Sequence, residues 1–317
     1  MRIGYNTWSM ASVPYTTFIP ALADIGFGAI AISVVPSYMI GGKRVANAGA
    51  LEGLSTEDRR RIRGMLKERD LQLPSVVGNQ SLVHDDPHAR QHAIDALRQS
   101  IDLCVELAID EVPTLNTGTG GTSGDLEDPR TRPMIVDALG ELSTYAEERG
   151  VLLCIEPHVH APLDTIERSE SLVKAIDSPA LRLDFDVSHF EVQAIPMEDA
   201  VSRLVPLAGA AEVKDQHCRR VAAETSDDSW RVPGNGGGTV TIPDGTKLEY
   251  QFLLAGEGTF DLARYLKLMQ QQGFTKPIAF EASVQCQARP DYDAIASARS
   301  IYAWMADAWR RAGIDPG

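Results

Sequence analysis

From Ile3 to Arg311, short apolar runs alternate with longer stretches of helical period. Repeated βα units read this way, because a strand covered by helices on both faces is apolar throughout, whereas each covering helix is apolar on one side only. The expected strands are residues 3–6, 29–34, 73–77, 111–116, 151–156, 181–186, 208–214 and 277–281. Between and after them the spacing predicts helices over 15–25, 55–69, 86–107, 132–149, 169–176, 197–204, 261–272 and 292–311. Ser55-Thr56-Glu57-Asp58 supplies a cap and first-turn acids, and Gly150 and Gly273 follow helix ends where a left-handed residue is wanted. Eight strands interleaved with eight helices favour a closed (β/α)8 barrel, an α/β fold that uses 317 residues as a single domain, 1–317. A doubly wound sheet is the alternative, but the first strand lacks the G-x-G-x-x-G of its nucleotide-binding version.

Residues 217–254 break the repeat. They hold Asp227-Asp228, then Pro233-Gly234-Asn235-Gly236-Gly237-Gly238, then an alternating stretch from Thr239 to Tyr250 interrupted by Pro243-Asp244-Gly245. The last part predicts a β-hairpin inserted between strand seven and helix seven, over the C-terminal face of a barrel. It reads as a lid or a subunit-contact arm, with an inert surface insertion as the plain alternative.

Carboxylates stand where they cost most. Glu156, Asp186, Glu212 and Glu281 end strands five, six, seven and eight, each after a largely apolar run. A buried charge needs a cation or several donors to offset its lost hydration. In a barrel the ends of neighbouring strands point at one centre, so four such oxygen donors suit one hard divalent ion, Mn2+ or Mg2+ ahead of Co2+ or Zn2+. Taken singly, each acid is more often a salt-bridge partner or a helix cap than a ligand. His158 lies two residues past Glu156, His189 three past Asp186, and Lys214 two past Glu212, placed to orient a ligand, hold hydroxyls or move a proton. Asn6, Trp8 and Asn116, from the ends of strands one and four, would line the opposite wall. His84, His88, His92 and His160 read as ordinary surface histidines.

The formal charge of -14 argues against a phosphate-backbone partner, since nucleic-acid binding rests on Lys and Arg. An uncharged or metal-held substrate suits it better. No apolar stretch is long enough to span a membrane and the first residues carry no secretory pattern. Cys104, Cys154, Cys218 and Cys286 are scattered, without a C-x-x-C pair, as reduced thiols of a cytoplasmic protein would be.

Five motifs together resemble the xylose isomerase-like TIM barrels, the superfamily of sugar isomerases, tagatose 3-epimerase-like enzymes, inosose dehydratases and endonuclease IV. They are Ile155-Glu156-Pro157-His158, Phe185-Asp186-Val187-Ser188-His189, Val213-Lys214-Asp215, Leu254 through Asp261, and Phe280-Glu281. The resemblance implies Glu156, Asp186 and Glu281 as metal ligands, and Lys214-Asp215 as the tail of a His-x-Lys-Asp pattern. Here Glu212 stands where most relatives have a metal-binding histidine. Glu212 itself is the favoured fourth ligand; His217 swinging in, or a degraded site, are the alternatives.

The resemblance further implies a sugar isomerase or epimerase. Glu156 and Glu281 would serve as base and acid on opposite sides of the substrate, and His158, His189 and Lys214 would bind hydroxyls or relay protons. A β-elimination enzyme is the rival, either a dehydratase or a C-glycoside deglycosidase catalytic subunit acting on 3-oxo-glucosides with His158 as base. The expected partners are the sugar and further copies of the chain, or a small second subunit in the deglycosidase case. A non-catalytic sugar-binding barrel is the remaining class.

Overall fold

The computed structural model describes residues 1–221 and 230–316. Eight parallel strands close into a barrel: Ile3–Asn6, Ala29–Ser33, Ser75–Val77, Thr114–Thr117, Leu153–Ile155, Leu181–Asp186, Ala208–Val213 and Ile278–Phe280. We number these barrel strands one to eight. Each pairs with its neighbour in sequence, and strand eight closes on strand one through Ile3↔Ile278, Gly4↔Ala279 and Tyr5↔Phe280. The sequence reading therefore holds for the fold, with strands three, four, five and eight shorter than expected by two or three residues and strands two and seven by one.

Helices Tyr15–Ile25 and Met197–Leu204 have the bounds expected of them, and the others differ by one to three residues at an end. Their starts have a physical cause. Ser55 and Asp58 form a reciprocal capping box ahead of Thr56–Glu68, and Asp86, Thr165, Asp261 and Asp293 each accept a backbone N–H of the first turn they precede.

The apolar core lies between the outside of the sheet and the helices. Ile30, Ile32, Val76, Leu115, Leu153, Ile155, Leu181, Leu183, Phe185, Ala211, Val213, Ile278 and Phe280 face that shell and are buried in it. Ile3 and Tyr5 of strand one face the same shell, and by period-two alternation the strand residues between these outward ones face the lumen. Toward the C-terminal end that lumen is polar.

Two hairpins depart from the repeat. Ser37–Ile40 pairs with Lys43–Ala46 after strand two, a small ribbon without an expectation in sequence. The insertion is a three-stranded antiparallel sheet, in which Lys247–Leu253 lies between Asp215–Arg220 and Gly238–Thr241. The Pro-Asp-Gly turn is where expected, with Gly245 at φ 85° and Asp244 accepting from the Thr246 amide at 2.8 Å. The third strand, Asp215–Arg220, is new; it runs on from strand seven through Lys214. Asp227 and Asp228 lie outside the described residues. The sheet is anchored on the barrel face, since Tyr250 and Phe252 are buried with Val159 and Val192 from the loops after strands five and six.

Candidate active site

Two polar layers fill the upper lumen. In the deeper one Asn116 on strand four donates to Asp184 Oδ2 on strand six at 2.7 Å and accepts from Thr114 at 2.7 Å. Asn6 on strand one donates to both oxygens of Glu212 on strand seven, at 2.8 and 2.9 Å, and reaches Glu281 Oε2 at 3.3 Å. Neither of these strand pairs is adjacent in the sheet, so the bonds cross the lumen. Asn6, Asn116, Asp184 and Glu212 are all buried.

Above this layer the strand-end acids meet an ammonium. Lys214 Nζ lies 2.5 Å from Asp186 Oδ2, 3.3 Å from Glu281 Oε1 and 3.4 Å from Glu156 Oε1. His189 Nε2 is 3.2 Å from Glu156 Oε1 and 3.3 Å from the same Nζ. Its Nδ1 is buried with no hydrogen-bond partner among the described residues. Asp186 is further fixed by Ser188, whose amide and hydroxyl both donate to Oδ1.

Charge is unevenly offset here. Burial works against a charged Lys214, but Asp186, Glu281 and Glu156 outweigh it and raise its pKa well above the ordinary value. Burial also works against the Glu156 carboxylate, yet Lys214 and His189 hold it below the usual carboxylate range. Glu281 is pushed up by burial to about 7 against the pull of Lys214. Glu212 and Asp184 are raised well above the usual range by burial and then by neighbouring carboxylates, Asp184 acting on Glu212 and Glu156 on Asp184.

His158 stacks on His189 with ring centroids 3.8 Å apart. Its Nδ1 is 2.7 Å from the Val159 carbonyl oxygen, which only a protonated nitrogen can satisfy, so Nε2 carries the lone pair of the neutral ring. Burial, then the charge of His189, pushes its pKa down to about 3. Phe252 of the insertion packs edge-on against His189 at 5.1 Å and lies 6.0 Å from Lys214 Nζ. Trp8 meets Tyr38 at 4.6 Å and packs on Ala31, Val77 and Ala279 at the opposite wall.

The expected four-acid set is thus arranged in two groups. One ligand atom each from Glu156, Asp186 and His189 lie within 4.8 Å of one another. Glu281 and Glu212 meet instead at the Asn6 amide, and Glu281 reaches the trio through Lys214. Asn6 and Asn116, expected on the substrate wall, sit one layer below it with their amide nitrogens engaged by acids. His217 is directed away, its ring 5.3 Å from Trp230. His160 is exposed, as an ordinary loop histidine would be.

Two residues of the site were not singled out in sequence. Asp184 carries a legible signal, because Leu181-Arg182-Leu183-Asp184-Phe185-Asp186 puts two acids on one face of a strand. Phe252 carries none, since only the three-stranded pairing brings it over the lumen.

Compared with known proteins, residues 19–307 match the family model described as xylose isomerase-like TIM barrel. No curated protein matches the chain in sequence. Among solved structures, 3-keto-D-glucoside 4-epimerase from E. coli superposes with a TM-score of 0.67 at 13% identity, covering 97% of this chain and 99% of that one. D-psicose 3-epimerase gives 0.70 at 14%, covering 99% and 100%. A probable 3-DHS dehydratase involved in petrobactin synthesis, from Bacillus anthracis, gives 0.67 at 15%, covering 96% and 99%. Identities this low bear on the fold, whereas the family model spans most of the sequence. The chain belongs to the xylose isomerase-like TIM barrel family.

Proposed function

We propose that this chain is an isomerase or epimerase of a small uncharged sugar or keto-sugar, moving a proton at the carbon next to a carbonyl with the help of one divalent ion. A single observation carries the reading: acids from strands five, six and eight converge within 3.4 Å of one point, the Lys214 ammonium. The side chains present fit an ion of the Mg2+ or Mn2+ class. Their donors are carboxylate oxygens with one imidazole, and three further carboxyl groups, those of Asp184, Glu212 and Glu281, stand in the same lumen.

Glu156, Asp186 and His189 would hold the ion, with Glu281 next to them. When bound, it draws electron density from the substrate carbonyl and so acidifies the neighbouring carbon. Glu156 and Glu281 reach Lys214 from strand ends on either side of the lumen, which puts a carboxylate on each side of a substrate lying there. One takes the proton and the other returns it. His189 and Lys214 orient substrate hydroxyls, Phe252 closes the site on the insertion side, and Trp8 gives it an apolar wall.

The test is turnover of free ketoses in Mn2+ by wild type, Glu156→Gln and Glu281→Gln. Each substitution is expected to lower kcat by about 10²- to 10⁴-fold, the usual weight of a positioned acid or base, with the circular dichroism of the barrel kept. Unchanged turnover in both variants would sink the assignment.

One observation favours a second reading. His158 offers an Nε2 lone pair, its tautomer set by the Val159 carbonyl; burial makes it a weak base, which suits it only to the acidified carbon beside a keto group, the carbon from which a β-substituent is expelled. Incubation with 3-keto-glycosides separates the two, because released aglycone would mark elimination and a rearranged sugar would mark isomerisation.

A further inference from the structure

The Lys214 ammonium touches one ligand atom from each member of the compact trio, at 2.5 Å from Asp186 Oδ2, 3.4 Å from Glu156 Oε1 and 3.3 Å from His189 Nε2. Its side chain is 3% exposed, so it is sealed into that position. A divalent ion bonds such oxygen and nitrogen atoms at about 2.0–2.2 Å, so an ion held by all three would lie nearer to Nζ than a second cation can stay. Two cations at that separation, shielded from water, repel each other strongly. They cannot share the trio.

Resting on the metal-dependent reading above, we propose that Lys214 is an internal cation holding the metal position, so that a divalent ion enters this chain by exchange with the ammonium. The geometry also supplies the ammonium with a second berth. Glu281 Oε1 lies 3.3 Å from Nζ and is outside the trio, and the Phe252 ring, 6.0 Å away, offers a π-face to a cation. The flexible four-carbon stem of lysine lets the head swing between these partners without moving the strand. The insertion therefore bears on ion uptake through Phe252, a role distinct from covering the substrate.

Exchange has a signature that simple filling lacks. Removing the ammonium should tighten ion binding, although Lys214 touches Glu156, Asp186, Glu281 and His189. The experiment titrates metal-stripped, full-length protein with Mn2+ and follows free Mn2+ by its electron paramagnetic resonance signal. Lys214→Met is expected to bind at least tenfold more tightly than wild type, and Asp186→Asn is expected to lose the binding. Equal or weaker binding by Lys214→Met overturns exchange alone. No Mn2+ binding by either protein overturns the metal-dependent reading with it, and uptake untouched by Asp186→Asn places the ion elsewhere and overturns exchange too.

A measurement on unmutated protein stands beside this, should the methionine variant fail to fold. Acetylation of Lys214 by acetic anhydride, quantified by mass spectrometry, is expected to rise at least fivefold in saturating Mn2+ as the ammonium leaves its carboxylates. Labelling that does not rise when Mn2+ is bound refutes the proposal.

Discussion

Asn6 is the residue on which the lower layer of the site depends. It donates to both Glu212 oxygens and to Glu281, while its own Oδ1 accepts from the Trp8 amide at 2.9 Å. Asn6→Ala leaves the buried Glu212 carboxyl without its donor, at a cost of about 1–3 kcal/mol for an orphaned buried partner, while Glu281 keeps Lys214. Urea denaturation should show that loss, with Asn6→Ala less stable than wild type and Asn6→Ala/Glu212→Gln recovering part of it. A double variant no more stable than the single would show that Glu212 does not depend on Asn6. At this scale the sequence was legible where a residue type is costly, and silent where it is cheap. Glu156, Asp186, Lys214 and Glu281 stand out as charges at strand ends and do converge. Whether an asparagine faces a substrate or a buried acid depends on its depth in the lumen, which sequence spacing does not encode.

At the scale of elements, the loop Leu254 through Asp261 shows why a motif has the letters it has. Asp215 accepts from the backbone N–H groups of Gly256 at 2.9 Å, Gly258 at 2.8 Å and Phe260 at 3.2 Å. Gly256 sits at φ 87°, and a Cβ on Gly258 would come within 2.2 Å of Asp215 Oδ1, so both glycines are required. Asp215→Ala would take the acceptor from these three loop donors, about 1–3 kcal/mol apiece, and from the Gln216 amide, and amide hydrogen exchange at 256, 258 and 260 should speed up together. Exchange that stays slow would mean that the loop holds itself without the carboxylate. The insertion teaches a related lesson. Its turn was readable from Pro243-Asp244-Gly245, yet the strand Asp215–Arg220 was hidden, because His217-Cys218-Arg219-Arg220 has no alternating pattern and is ordered by pairing with Lys247–Leu253. Phe252→Ala removes a buried ring shared by the insertion and the barrel face, and a loss of about 3–5 kcal/mol is expected in thermal or urea melts.

For the molecule as a whole, closure was the most legible property, since eight alternating units admit few other arrangements. The seam is held from outside. Trp309, on the helix Ala294–Ala312, is buried and donates its indole N–H to the Met1 carbonyl at 2.8 Å, beside the junction of strands one and eight. Trp309→Phe keeps most of the volume and loses the bond, so it should cost about 1 kcal/mol, and Trp309→Ala about 3–5. A melt in which both cost the same would assign the clasp to packing alone. The apolar mass that stabilises the chain lies in the shell between sheet and helices, and its chemistry lies in the lumen. Structural integrity and reactivity therefore draw on separate sets of side chains. Such a partition lets the inner set change while the container stays intact, so one scaffold can host successive reactions without being rebuilt.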